Sequence, residues 1–99
     1  MINISEEALH GAYEMRTDKD LGCANYNIPV YFGDSEEYDH CLFIYVDEIH
    51  NERWFVVEYN AIVDGACEPI ADYNATIGCN VGYEKFVELV FTYVNDVCN

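Results

Sequence analysis

Cys41-Leu42-Phe43-Ile44-Tyr45-Val46-Asp47-Glu48-Ile49 and Arg53-Trp54-Phe55-Val56-Val57-Glu58-Tyr59-Asn60-Ala61, joined by His50-Asn51-Glu52, decide the fold. Both runs are dense in β-branched and aromatic residues, which fit a pleated surface, and the short polar join between them reads as a hairpin. Side chains alternate across a strand. Leu42, Ile44 and Val46 therefore share one face, while Cys41, Phe43, Tyr45 and Asp47 share the other. In the second run Phe55, Val57 and Tyr59 alternate with Trp54, Val56 and Glu58. Both faces are apolar near the middle. Burial on two sides explains that, as does one face under helices and the other under a partner.

Something must cover the hairpin, and the C-terminal segment is suited to it. At 100° per residue Tyr83, Phe86, Val87, Leu89, Val90, Phe91, Tyr93, Val94 and Val97 form one broad apolar arc. Glu84, Lys85, Glu88, Thr92, Asn95 and Asp96 fill the rest, and Asn80 or Gly82 starts the helix. At the other end Ser5 is suited to cap a short helix running to Met15 or Arg16. Glu6 and Glu7 lie in its first turn, where carboxylates favour the positive end of the dipole. Its apolar face (Ala8, Ala12, Met15) is narrow, and Gly11 weakens it by about 1 kcal/mol relative to Ala.

Between these elements, residues 17–27 read as loop. Ile28-Pro29-Val30-Tyr31-Phe32 reads as a strand that Pro29 pushes to a sheet edge or a strand start. Asp64-Gly65-Ala66 reads as a turn and Glu68-Pro69 as continuing loop, while the alternation of Ala71, Tyr73, Ala75 and Ile77 predicts a half-exposed strand. The expected architecture is α+β in one domain, residues 1–99. It comprises a short N-terminal helix, a three- to four-stranded mostly antiparallel sheet with a central hairpin, and a C-terminal amphipathic helix packed on it.

Charge is the outlier. Nineteen Asp and Glu face four basic residues, Arg16, Lys19, Arg53 and Lys85, giving a formal net charge of −15. Solubility alone asks for ~2–8 charges on a small domain. Such a surface repels DNA, RNA and anionic bilayers, and its complement is a basic protein surface. A hydrophobic content of 52% with nine Tyr excludes a disordered acidic tail. The first residues lack the basic and apolar regions of a secretory leader, and the five cysteines form no C-x-x-C pair. A reducing, cytoplasmic setting with free thiols is expected, and Asn74-Ala75-Thr76 is then a chance glycosylation sequon.

Chemical motifs are weak beside this charge. His10, His40 and His50 lack metal-ligand spacing, and residues 34–39 lack the EF-hand pattern, so no cofactor or metal is expected. Cys41, Cys67 or Cys79 as a nucleophile would need an electropositive setting that an acidic chain does not favour. Asp47 and Glu48 are adjacent on a strand and point to opposite faces, which rules them out as an acid–base pair. The expectation is a protein that is not an enzyme.

What remains is charge display. Carboxylates on one strand face repeat at ~6.6 Å, those on a helix face at ~5–6 Å, and phosphates along one DNA strand at ~3.4 Å of axis. The sequence therefore suggests a nucleic-acid mimic that blocks the basic surface of a nuclease or defence effector, in the manner of phage or plasmid counter-defence proteins such as anti-CRISPR or anti-restriction inhibitors. The partner-binding candidates are Asp34, Glu36, Glu37, Tyr38 and Asp39 in a loop, and Asp47, Glu48, Glu52, Trp54 and Glu58 around the hairpin. Glu84 and Glu88 add a helical pair, with Tyr26 and Tyr31 as further aromatic anchors. Two other readings fit the same charge. One is an immunity protein or antitoxin bound to a cognate basic toxin, and the other is a non-inhibitory acidic subunit that forms a homodimer through the hairpin edge or the Trp54 face.

Overall fold

Ser5 caps the first helix as its side chain predicts: its Oγ accepts a hydrogen bond from the Ala8 N–H at 3.2 Å. The fold is that of a computed structural model, which describes residues 2–17, 25–34 and 37–98. Chain order is β1 (Ile2–Ile4), α1 (Glu6–Glu14), a 3-10 turn (Met15–Thr17), β2 (Asn25–Phe32), β3 (His40–Ile49), β4 (Glu52–Val63), β5 (Ala66–Pro69), β6 (Ala75–Gly78) and α2 (Tyr83–Cys98). The class is α+β as expected, but among the described residues the sheet has six strands rather than three or four. All the pairings are antiparallel, in the order β1-β2-β3-β4-β5, and β6 also lies against β4.

The hairpin is tighter than its three-residue join suggests. Ile49 pairs with Glu52, leaving a two-residue turn in which His50 (φ 52°) and Asn51 (φ 66°) are both left-handed. This geometry matches the right-handed twist of the flanking strands. Asp64 (φ 50°) and Gly65 (φ 80°) repeat the device between β4 and β5, so the segment read as loop around Glu68-Pro69 is a strand. Pro29 lies inside β2, opposite Cys41, and the β1 pairing stops one residue short of it at Val30. The proline thus stands where, among the described residues, no strand pairs with that side of β2.

The outer side of β4 is shared. β6 covers Trp54 to Val57, β5 covers Asn60 to Val63, and between them the Tyr59 N–H donates to the Tyr93 hydroxyl of α2 at 3.2 Å. That contact satisfies a buried backbone donor that neither short strand reaches. The Tyr93 hydroxyl in turn donates to the Tyr73 carbonyl at 2.9 Å, and the Tyr73 hydroxyl donates to Asp96. Residues 71–73 therefore bend beneath α2 instead of extending the strand that their alternation predicted, and β6 begins at Ala75.

Both helices pack on one side of the sheet. Leu9 and Ala12 of α1 and Phe86, Val90, Tyr93 and Val94 of α2 join Ile28, Val30, Leu42, Ile44, Val46, Phe55, Val57, Tyr59 and Ile77 in a single core. Leu9 had no place in the narrow face read from the sequence, yet it is fully buried. Gly11 also has a purpose that helix propensity hides: a Cβ there would sit 3.0 Å from the Tyr26 ring, which lies across the helix. No helix among the described residues is long and apolar enough to cross a membrane.

Candidate protein-binding face

Period-two alternation puts the second set of hairpin residues on the side away from both helices. Strand register arranges them in rows across the sheet. Trp54 stands between Asp47 and Gly78, and the next row runs Asn25, Tyr45, Val56 and Thr76. Asn27, Phe43 and Glu58 follow, then Pro29, Cys41, Asn60 and Pro69. Cys41, Val56 and Asn60 are buried by their neighbours, and Phe43, Tyr45, Trp54 and Glu58 are half-buried. The result is a shallow aromatic face with Glu58 inside it and Asp47 and Glu52 at its hairpin end.

Electrostatics couples these groups. Burial first, and then the Asp47 and Glu58 carboxylates, push the Tyr45 hydroxyl above its ordinary range. Burial likewise pushes the Cys41 thiol up to about 12, helped by the hydrogen-bonded Cys67 and by Glu58. The Cys41 and Cys67 sulfurs are 3.6 Å apart, and Asn27 Nδ2 lies 3.9 Å from Cys67. A thiol held so firmly protonated is a poor nucleophile.

The residues singled out from the sequence fall in three places. Asp34, Glu37, Tyr38 and Asp39 are exposed in the β2–β3 connection, where the Tyr38 ring meets Tyr31 edge-on at 5.2 Å, and Glu36 lies outside the described residues. Asp47, Glu48 and Glu52 are exposed at the hairpin tip, and Trp54 and Glu58 stand on the open face. Asp39, immediately before β3, and Asp47 within it are eight positions apart, or ~26 Å at ~3.3 Å per residue. The acidic loop and the hairpin tip are thus opposite poles of the sheet, not one cluster. Alternation also divides the tip: Glu48 pairs with Arg53 on the helix side, whereas Asp47 and Glu52 belong to the open side.

Glu84 and Glu88 are exposed on α2, where Lys85 Nζ lies 3.4 Å from Glu88. Tyr26 is tied to Gly11 rather than to the open face. Phe43 and Tyr45 were placed on the correct face but not nominated as contacts. The missing signal was the position of the helices, which alone decides which apolar face stays uncovered.

The three histidines are dispersed. His10 lies 3.7 Å from Glu14 on α1, His40 Nδ1 is 3.0 Å from the Tyr59 hydroxyl, and His50 occupies the hairpin turn. Among the described residues no group of three or more His, Cys, Asp and Glu side chains is placed to hold a metal ion. Compared with known proteins, the chain matches no family model, no curated protein and no solved structure.

Proposed function

We propose that this protein is an acidic binding inhibitor that imitates nucleic acid and occupies the basic DNA- or RNA-binding surface of a nuclease or defence effector. The observation that carries the reading is the open sheet face. It presents Phe43, Tyr45 and Trp54 beside Asp47, Glu52 and Glu58, with both helices packed behind it. Aromatic side chains on a rigid sheet anchor an interface at low entropic cost, and surrounding carboxylates steer a basic partner toward it. A net charge of −15 disfavours a second copy of the chain as the occupant of that face. The exposed carboxylates of the β2–β3 connection, ~26 Å away, extend the acidic track beyond the aromatic patch. The natural setting of such a protein is phage or plasmid counter-defence.

The test is binding to a panel of basic nucleases and DNA-binding effectors at several salt concentrations, with duplex DNA as competitor. Association is expected to slow as salt rises, and saturating DNA is expected to displace the protein. Reversing Asp47 and Glu52 to Lys should reduce the on-rate more than the off-rate. Binding that persists unchanged on a partner whose nucleic-acid groove is already filled rejects the mimic reading. Stoichiometric recovery of a single toxin from the native host favours the immunity-protein reading instead.

A further inference from the structure

Arg16 and Arg53, two of the chain's four basic residues, line the same cleft. The cleft lies at the hairpin end of the sheet, between the 3-10 turn and the ends of β4 and β6, and has a volume of about 480 Å³. Its other walls are Thr17, Glu52, Trp54, Gly78, Cys79 and Asn80. The Cys79 N–H donates to the Arg53 carbonyl at 3.0 Å, continuing the β4–β6 ladder and fixing Cys79 beside Arg53. Gly78 keeps the wall open: a Cβ there would meet Asn80 Oδ1 at 2.9 Å and the Trp54 ring at 3.9 Å. Arg16 is held from behind, with its guanidinium 4.2 Å above the Tyr13 ring and its Nη1 3.3 Å from the Tyr13 carbonyl.

In a chain with nineteen carboxylates, the cheapest place for a cation is among them. Here Glu14 lies 3.7 Å from Arg16, Glu48 stands opposite Arg53 in the strand register and Glu52 is on the rim, yet two of the four basic residues converge on one cleft. The field reaches the thiol: burial raises the Cys79 pKa, while Arg53 and Arg16 both pull it down. The volume falls within the ~300–1,000 Å³ typical of small-ligand sites, and planar guanidinium groups match carboxylate and phosphate oxygens.

We infer that the cleft formed by Arg16, Arg53, Trp54 and Cys79 binds a small oxyanion, a phosphate- or carboxylate-bearing molecule, at a site that adjoins the hairpin end of the aromatic sheet face and shares Trp54 and Glu52 with it. The guanidinium groups hold the anion, Asn80 and Thr17 supply neutral polar contacts, and Trp54 forms the apolar wall for an attached ring.

Trp54 is the only tryptophan, so its emission reports on the site directly. Phosphate, pyrophosphate, phenyl phosphate and benzoate are titrated at constant ionic strength against sodium chloride. A saturable change with at least one oxyanion is expected, and the phenyl phosphate and benzoate arms separate phosphate from carboxylate preference. Arg16→Ala and Arg53→Met should each weaken that binding by about tenfold. Should Arg53→Met lose its fold by circular dichroism, Arg16→Ala decides. A second reading uses alkylation followed by peptide mapping: Cys79 is expected to favour anionic iodoacetate over neutral iodoacetamide more than exposed Cys67 does, and the bound oxyanion should protect it. Emission that no oxyanion changes beyond sodium chloride overturns the inference. So does equal binding by the variants, or a Cys79 preference no greater than that of Cys67.

Discussion

The two faces of the sheet begin from nearly the same composition and meet different fates. Leu42, Ile44, Val46, Phe55, Val57 and Tyr59 disappear under the two helices, while Phe43, Tyr45 and Trp54 stand half-buried on the side where, among the described residues, no helix packs. The difference comes from the helices, whose single apolar stripes can cover one side only. An apolar side chain on the covered face works for stability. On the open face it is free to work for recognition. Substitutions can separate the two roles.

The largest effect is expected from Phe55→Ala, which opens a cavity between the Phe86 and Tyr13 rings and should cost about 3–5 kcal/mol in urea unfolding. An equal loss from Phe43→Ala would erase the distinction between the faces.

Cys41 lies on the open side, yet it is buried there, as Val56 and Asn60 are. Its pKa is raised from 9.0 to about 12, so above pH 9 the unfolded chain sheds a proton that the folded one keeps. Its stabilising contribution is therefore complete below pH 9 and lost progressively as pH rises toward 12. Cys41→Val should flatten that part of an alkaline unfolding series, and an unaltered slope would show that the thiol does not contribute.

Gly65→Ala tests the β4–β5 turn that brings Cys67 and Pro69 to the open face. At φ 80° a side chain is strained, and the expected cost is about 1–2 kcal/mol in the same unfolding measurement. The smallest stability change belongs to Phe43→Ser. It should lower unfolding free energy by about 1 kcal/mol, yet speed dissociation from a basic partner severalfold. If partner dissociation is unaffected, the aromatic face is not the interface.

Much of this contrast was legible in the sequence. Alternation assigned every side of β3 and β4 correctly, and the apolar arc of α2 announced a helix lying across a sheet. What stayed hidden depended on partners distant in the chain. β1 is three residues long and carries too little pattern to stand out. β5 was masked by Pro69 and Glu68, although Asp64-Gly65 is the dipeptide a two-residue hairpin turn prefers. Residues 71–73 alternate like a strand but bend because the Tyr73 carbonyl and hydroxyl are taken by Tyr93 and Asp96.

The candidate site was half legible for the same reason. Composition supplied the charge and periodicity supplied the shared face. Neither could place the loop carboxylates at the far pole from the hairpin tip, nor bring Arg16 to Arg53.

The division of the outer side of β4 between β5 and β6 has a further consequence. An uncovered aromatic sheet invites other chains to extend it strand by strand into fibres, and that growth needs a long straight margin as a template. Among the described residues, one margin is the three-residue β1 followed by the part of β2 from Asn25 to Pro29, which the proline interrupts, and the other is two four-residue pieces, β5 and β6, with the Tyr93 hydroxyl between them at β4. Pro69 removes a further donor from that second margin. Among the described residues, the aromatic face is therefore bordered by short or proline-broken margins rather than by one long straight template.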